Sequence, residues 1–389
     1  MKTTLFNLAA NSAKIACFSL AIASCSSGAE TSVPPAPNPA VTPTLPGAAP
    51  VTPLLPVPGE AATPATESFL PTSQAIAEVA VDAVYVVNGG DATISVVDPN
   101  AKKLIGTIVL ENVKYPHHVN ISPDGSKLAV ASPGMDMSGG HHGGMAGMRG
   151  AVIVLDAKTG KTLVSRRMGA MNHNAIFTKD GSELWTAAMA TLGQVLRLDA
   201  LTLEPKGAID VGSMPAEITF SNDGKRAFVA NGGSDSVSVI DVATAKVEQT
   251  IAVDKGPVGA WPGSDGVMYV DCEASKSLVA IDSKTLAVVR KYNLGFTPGM
   301  VRAAPNDSLW VTDGDNGKVQ FNMLSEDMGM GDVDTGAGAH GLVFSNDGKT
   351  AFVTNQKDDS LSILDVESMQ VIGKVAVGKK PNGLTFRGK

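Results

Sequence analysis

The chain predicts an all-β fold, a seven-bladed β-propeller with four-stranded blades over residues 75–389, and two periodic series of residues carry that prediction. In the first series, short apolar runs end in aspartate at Asp98, Asp156, Asp199, Asp241, Asp282 and Asp365, as in TISVVD, AVIVLD and SLSILD. β-Branched runs closed by a turn-forming aspartate read as strands. In the second, turn signals recur as Pro123-Asp124-Gly125, Lys179-Asp180-Gly181, Asn222-Asp223-Gly224, Ser264-Asp265-Gly266, Asn306-Asp307-Ser308 and Asn346-Asp347-Gly348. Asp-Gly between β-branched runs marks a hairpin, because both residues accept the backbone angles of a tight turn. Both series share a period of about 42 residues, enough for four short strands, which is the repeat of propeller blades.

Two segments without a core of their own precede the ring. Lys2 and Lys14 lead into an apolar run at 15–23, too short for a bilayer, where a spanning helix needs about 20 apolar residues. It reads as the core of a signal peptide, residues 1–24. Ile22-Ala23-Ser24-Cys25 resembles a bacterial lipobox. That resemblance implies lipidation of Cys25 and, with Ser26 in place of aspartate, carriage to the outer membrane, the domain facing periplasm or exterior; a plain secretory signal is the alternative. Several acyl chains anchor stably where one does not. Residues 25–74 are expected to be a tether, since eleven of the 23 prolines lie between Val33 and Pro64 with almost no charge. Such a stretch favours extended polyproline II. Removal of Cys17 and lipidation of Cys25 leave Cys272 alone, a small core residue by its apolar surroundings. The absence of CxxCH excludes covalently attached c-type haem.

Counting blades from the hairpin turns gives six complete ones and a seventh built from both chain ends. Pro381 to Phe386 supplies its inner strand and Val84 onward the strands outside it, which leaves no open edge between first and last blades. The motifs Tyr85-Val86-Val87-Asn88, Ser122-Pro123-Asp124-Gly125, Phe228-Val229-Ala230-Asn231 with Ser238-Val239-Ile240-Asp241, and Phe352-Val353-Thr354-Asn355 resemble the YVTN family of β-propellers. The resemblance covers 80–389 and implies the fold; it leaves function open, because unrelated sites are built on propellers.

One insertion breaks the repeat. From Asp98 to Asp156 is 58 residues, and the excess is PGMDMSGGHHGGMAGMRG, which carries Met135, Met137, His141, His142, Met145 and Met148 between glycines. Thioether and imidazole together suit copper, Met favouring Cu(I), and glycine lets a short segment wrap one ion. Composition fits equally a flexible Gly-rich insertion.

The remaining histidines share a register. In most repeats a proline leads into the inner strand, and the residue after it opens that strand near the channel. Round the ring this position is Asn382, His117, His173, Ala216, Val258, Gly299 and His340, with His118 following His117. Blades seven, one, two and three are contiguous, so these histidines line one side of the channel mouth. Neutral imidazole there would ligate copper or zinc; polar mouths that only bind water are the alternative. Loops between second and third strands emerge on that face, which places the Met/His insertion, Met168, Met171 and Met214 there and Met328 and Met330 opposite. Glu217, the one acidic residue beside the ring, is expected to be solvated; a proton carrier is the alternative.

A net charge of −7 and a pI near 5.4 give no basic stripe for nucleic acid. No GxSxG, HExxH, phosphate-binding loop or EF-hand loop occurs. The expected function is copper binding, for storage, sensing or delivery, by a monomer that exchanges metal with a partner protein. A copper- or haem-dependent oxidoreductase and a metal-free interaction or adhesion scaffold are the alternatives.

Overall fold

Asparagine and aspartate side chains make the turns on which the architecture depends. The computed structural model describes residues 70–137, 148–324 and 328–389. Each aspartate-terminated run is the third strand of a blade, and the aspartate folds back on the turn that follows. Asp98 Oδ1 accepts from the backbone N–H groups of Asn100 and Ala101 at 2.9 and 2.8 Å, and Asp156, Asp199 and Asp282 repeat the pattern. The Asp-Gly turns join first to second strands. There Asp124 Oδ1 accepts the Ser126 N–H, while Gly125 takes φ +69°, as Gly181, Gly224 and Gly348 do in their blades at 70°, 71° and 69°.

Seven antiparallel sheets result, ordered inner strand to rim. Blade two is His118–Ile121, Lys127–Ser132, Ala151–Asp156 and Thr162–Arg167. The inner strands of blades three to seven are Ala175–Phe177, Pro215–Phe220, Pro257–Pro262, Pro298–Ala303 and Ala339–Phe344. Blade one closes the ring as expected: Pro381–Arg387 pairs with Ala83–Asn88, which pairs with Thr93–Asp98 and then Lys103–Glu111. A fifth strand, Thr72–Ser73, pairs with the rim strand through Glu111 and Leu110, so the sheet begins just ahead of residue 75.

The asparagine of the repeat has a structural task. Asn88 Nδ2 donates to Thr93 Oγ1 and Ser95 Oγ, Asn231 to Ser236 and Ser238, and Asn355 to Ser360 and Ser362, at 2.9–3.2 Å. Each cross-braces the tight second-to-third-strand turn of its blade. Blade two has Ser132 at this position, and there the long insertion opens. The core lies between blades, where second and third strands bury both faces, and each buried Val, Leu, Ile or Phe contributes about 1.5–3 kcal/mol of transfer free energy. Tyr85 is fully buried between blades one and two and donates to the Ala157 carbonyl; burial pushes its hydroxyl up to about 12. Cys272 is buried in blade five, as expected, and burial pushes its thiol up.

Candidate metal centre

The entry into each inner strand sets up the site. The residue before the proline takes a left-handed conformation at Tyr115 (φ 54°), Met214 (49°), Gly256 (67°) and Lys380 (50°), and the next residues run into the strand nearest the axis. His117 and His118 open blade two, His173 blade three, and Ala216 and Glu217 blade four.

These side chains converge. His117 Nε2 and His173 Nε2 are 3.0 Å apart, and ligand nitrogens of His117, His118 and His173 all lie within 4.8 Å of one another. Glu217 Oε1 lies 3.0 Å from His118 Nε2 and 3.3 Å from His173 Nδ1. The three histidines are 3%, 5% and 1% exposed and Glu217 is 3% exposed, so the group is out of solvent. Burial alone would raise the Glu217 carboxyl; His118 and His173 beside it outweigh that and hold it well below the usual carboxylate range. The expectation of a solvated Glu217 is therefore corrected: it is a buried carboxylate spanning two imidazoles. It occupies in blade four the register of His118 in blade two, one residue past the mouth position. Gly383 of blade one makes the space for His118, since a Cβ there would stand 2.7 Å from His118 Nδ1 and 2.8 Å from the His117 carbonyl. Its N–H donates to that same carbonyl at 2.8 Å.

The other predicted residues divide. His340 is half-buried with its ring centroid 6.1 Å from that of His117, outside the close triad. Asn382 is 4% exposed, and its Oδ1 has no hydrogen-bond partner among the described residues. Met137 is 4% exposed and packs with Met171, Met189, Ala216 and Val258, and half-buried Met135 and Met214 lie against them. The start of the insertion thus reaches across the mouth to blades four and five. A contact of 2.5 Å between Asp136 Oδ2 and Lys380 Nζ ties it to blade one. Met148 is exposed at 42% and stays out of this group. His141, His142 and Met145 lie outside the described residues, as do Cys25 and most of the tether.

The contribution of the neighbouring blades was not foreseen. Trp261 Nε1 donates to Asp271 Oδ1 at 2.6 Å, and the Arg302 guanidinium stacks 4.0 Å over the Trp261 ring. Burial, then the charges of Glu217 and Glu273, push the fully buried Asp271 carboxyl well above its ordinary value and keep it a neutral acid. Burial lowers Arg302 to about 10. Three imidazoles, mutually close and dry, with a carboxylate against one nitrogen of each of two of them, could hold a transition metal.

Comparison with known proteins follows the fold. No family model matches the chain. The Escherichia coli protein YncE is 20% identical over 233 residues, a match that spans 58% of this chain and 58% of that protein. Among solved structures, Pseudomonas aeruginosa periplasmic gluconolactonase superposes with a TM-score of 0.63 at 18% identity, covering 79% of this chain and 99% of that one. The chain is a seven-bladed β-propeller with YVTN-like repeats. Dihydro-heme d1 dehydrogenase NirN, in complex with DHE, is similar to this propeller with a TM-score of 0.59 at 14% identity, covering 81% and 79% of the two chains. Kuenenia stuttgartiensis hydrazine synthase gives 0.56 at 20%, covering 69% and 88%. At these identities the structural likeness shows the propeller fold and leaves the chemistry to the chain's own residues.

Proposed function

We propose that this propeller binds copper as cargo, for storage, sensing or delivery in the cell envelope, where lipidation at Cys25 would anchor it. The observation that carries the reading is the buried convergence of His117, His118, His173 and Glu217 at the axis. Packing three imidazoles and a carboxylate out of water costs solvation that a bound cation offsets through every nitrogen lone pair. Imidazole serves copper in either oxidation state, and the thioethers of Met135 and Met137 at the same mouth favour copper over zinc.

The test is copper affinity, measured by competition with a chromogenic chelator. Joint replacement of His117, His118 and His173 by alanine should abolish tight binding while the β-sheet spectrum persists. Unchanged affinity in that variant would overturn the reading.

A further inference from the structure

Six apolar groups of the ring are built mainly from Val, Ile, Leu, Ala and aromatic side chains, with few methionines. The seventh is different. Met137, Met171 and Met189 are 4%, 1% and 5% exposed, Met135 and Met214 pack against them, and only Ala216 and Val258 complete it. The five thioethers come from three blades: Met135 and Met137 from the insertion of blade two, Met171 and Met189 from blade three, Met214 from blade four. The Met189 N–H donates to the Met171 carbonyl at 2.9 Å, which fixes the two blade-three methionines side by side.

Backbone conformation points the same way. Met214 holds φ +49° at a position that glycine fills before the inner strands of blades five and seven, Gly256 at 67° and Gly338 at 73°. A bulky residue there carries backbone strain that glycine avoids. Lys380, with φ +50° at the same position in blade one, is the residue that pins Asp136, between Met135 and Met137. Two left-handed positions therefore hold sulfur-bearing segments over the mouth. The floor of the group is Ala216 and Val258, which stand in blades four and five where His117 and His173 stand in blades two and three. Glu217 follows Ala216 directly. The five thioethers carry no formal charge and so neutralise none of a bound ion's, which favours a monovalent over a divalent cation. Thioether sulfur is a soft donor that selects Cu(I).

We propose that Met171, Met189 and Met214, with Met135 and Met137 folded over from blade two, form a thioether-only site for a soft monovalent ion, Cu(I) or Ag(I), outside the His–Glu centre. The proposal deepens the copper reading and rests on it for the direction of transfer, mouth to axis. The site itself stands or falls separately. It places a soft-ion port of sulfur in series with a nitrogen and carboxylate centre, so an ion would meet the Met group first.

The probe is Ag(I), a redox-inert monovalent ion, titrated into the folded protein carrying methyl-labelled methionine. One equivalent should shift the ε-methyl resonances of Met171, Met189 and Met214, and should do so also in the variant lacking His117, His118 and His173. Leucine at 171, 189 and 214 conserves volume and should keep the thermal midpoint while lowering Ag(I) affinity at least tenfold; Met214→Leu alone is the milder check. Unmoved methyls in a protein that binds copper through its histidines would overturn the thioether site and leave the copper reading intact. Shifts that vanish in the histidine variant would also overturn it, because the methionines would then be outer ligands of one centre. Methyl shifts in a protein whose copper affinity ignores the histidines would uphold the thioether site and remove the axial one.

Discussion

Glu217 and Asp271 are two carboxyls of one channel held in opposite states. Glu217, between His118 and His173, stays ionised; Asp271, bonded to Trp261 and facing the Glu217 charge, stays protonated. Removing the first charge should weaken the centre. Glu217→Gln keeps the shape and should lower copper affinity about 10- to 100-fold, the usual cost of losing a carboxylate that orients and polarises ligand imidazoles. Equal affinity in the chelator competition would show that the carboxylate is only structural. The second carboxyl makes a pH prediction. Its value is raised on folding, so between the ordinary 3.8 and the folded value the native state holds a proton that the unfolded chain has lost, and stability falls as pH rises. The slope is about 1.4 kcal/mol per pH unit. Asp271→Asn can still accept from Trp261 Nε1 and has no proton to lose. Urea unfolding at about pH 5 and about pH 7 should show the variant gaining on the wild type at the higher pH; a constant difference would contradict the buried neutral acid.

At the scale of the element, the inner strand decides what stands at the axis. Gly383 lies where blade one meets blade two, and Gly383→Ala would place a methyl 2.8 Å from the His118 Cα and from the His117 carbonyl, both backbone. Neither can yield without moving a strand. The expected loss is about 1–3 kcal/mol, read as a lowered unfolding midpoint, together with weaker copper binding because His118 is displaced. An unchanged midpoint and unchanged affinity would mean that the strands slide freely. The same scale explains what was legible in the sequence. Strands, blades and the shared first blade could be read because each turn is written in local chemistry, such as Asp124-Gly125 or Asp98 with the two N–H groups it caps, and repeats at one period. The mouth position gave His117 and His173 by the same logic. Glu217 was misjudged because its own mouth residue is Ala216; the signal lay one position on, in register with His118. Trp261, Asp271 and Arg302 could not be read, since only a hairpin partner and a neighbouring blade bring them together. Met189 likewise reaches Met171 only through the pairing at the top of blade three.

The seven blades form a ring that places a dry, polar cluster at its axis and a sulfur-rich group beside it. Closure by Pro381–Arg387 against Ala83–Asn88 also places Gly383 against the His117–His118 step, so the join of the chain ends and the candidate centre share one seam. The central claim is that copper is held at that axis. Its most direct test is diffraction at the copper absorption edge from crystals of the protein loaded with one equivalent of copper. The account predicts an anomalous peak enclosed by the imidazoles of His117, His118 and His173 beside Glu217. Copper found only on residues 138–148, or no peak among those imidazoles, would contradict it.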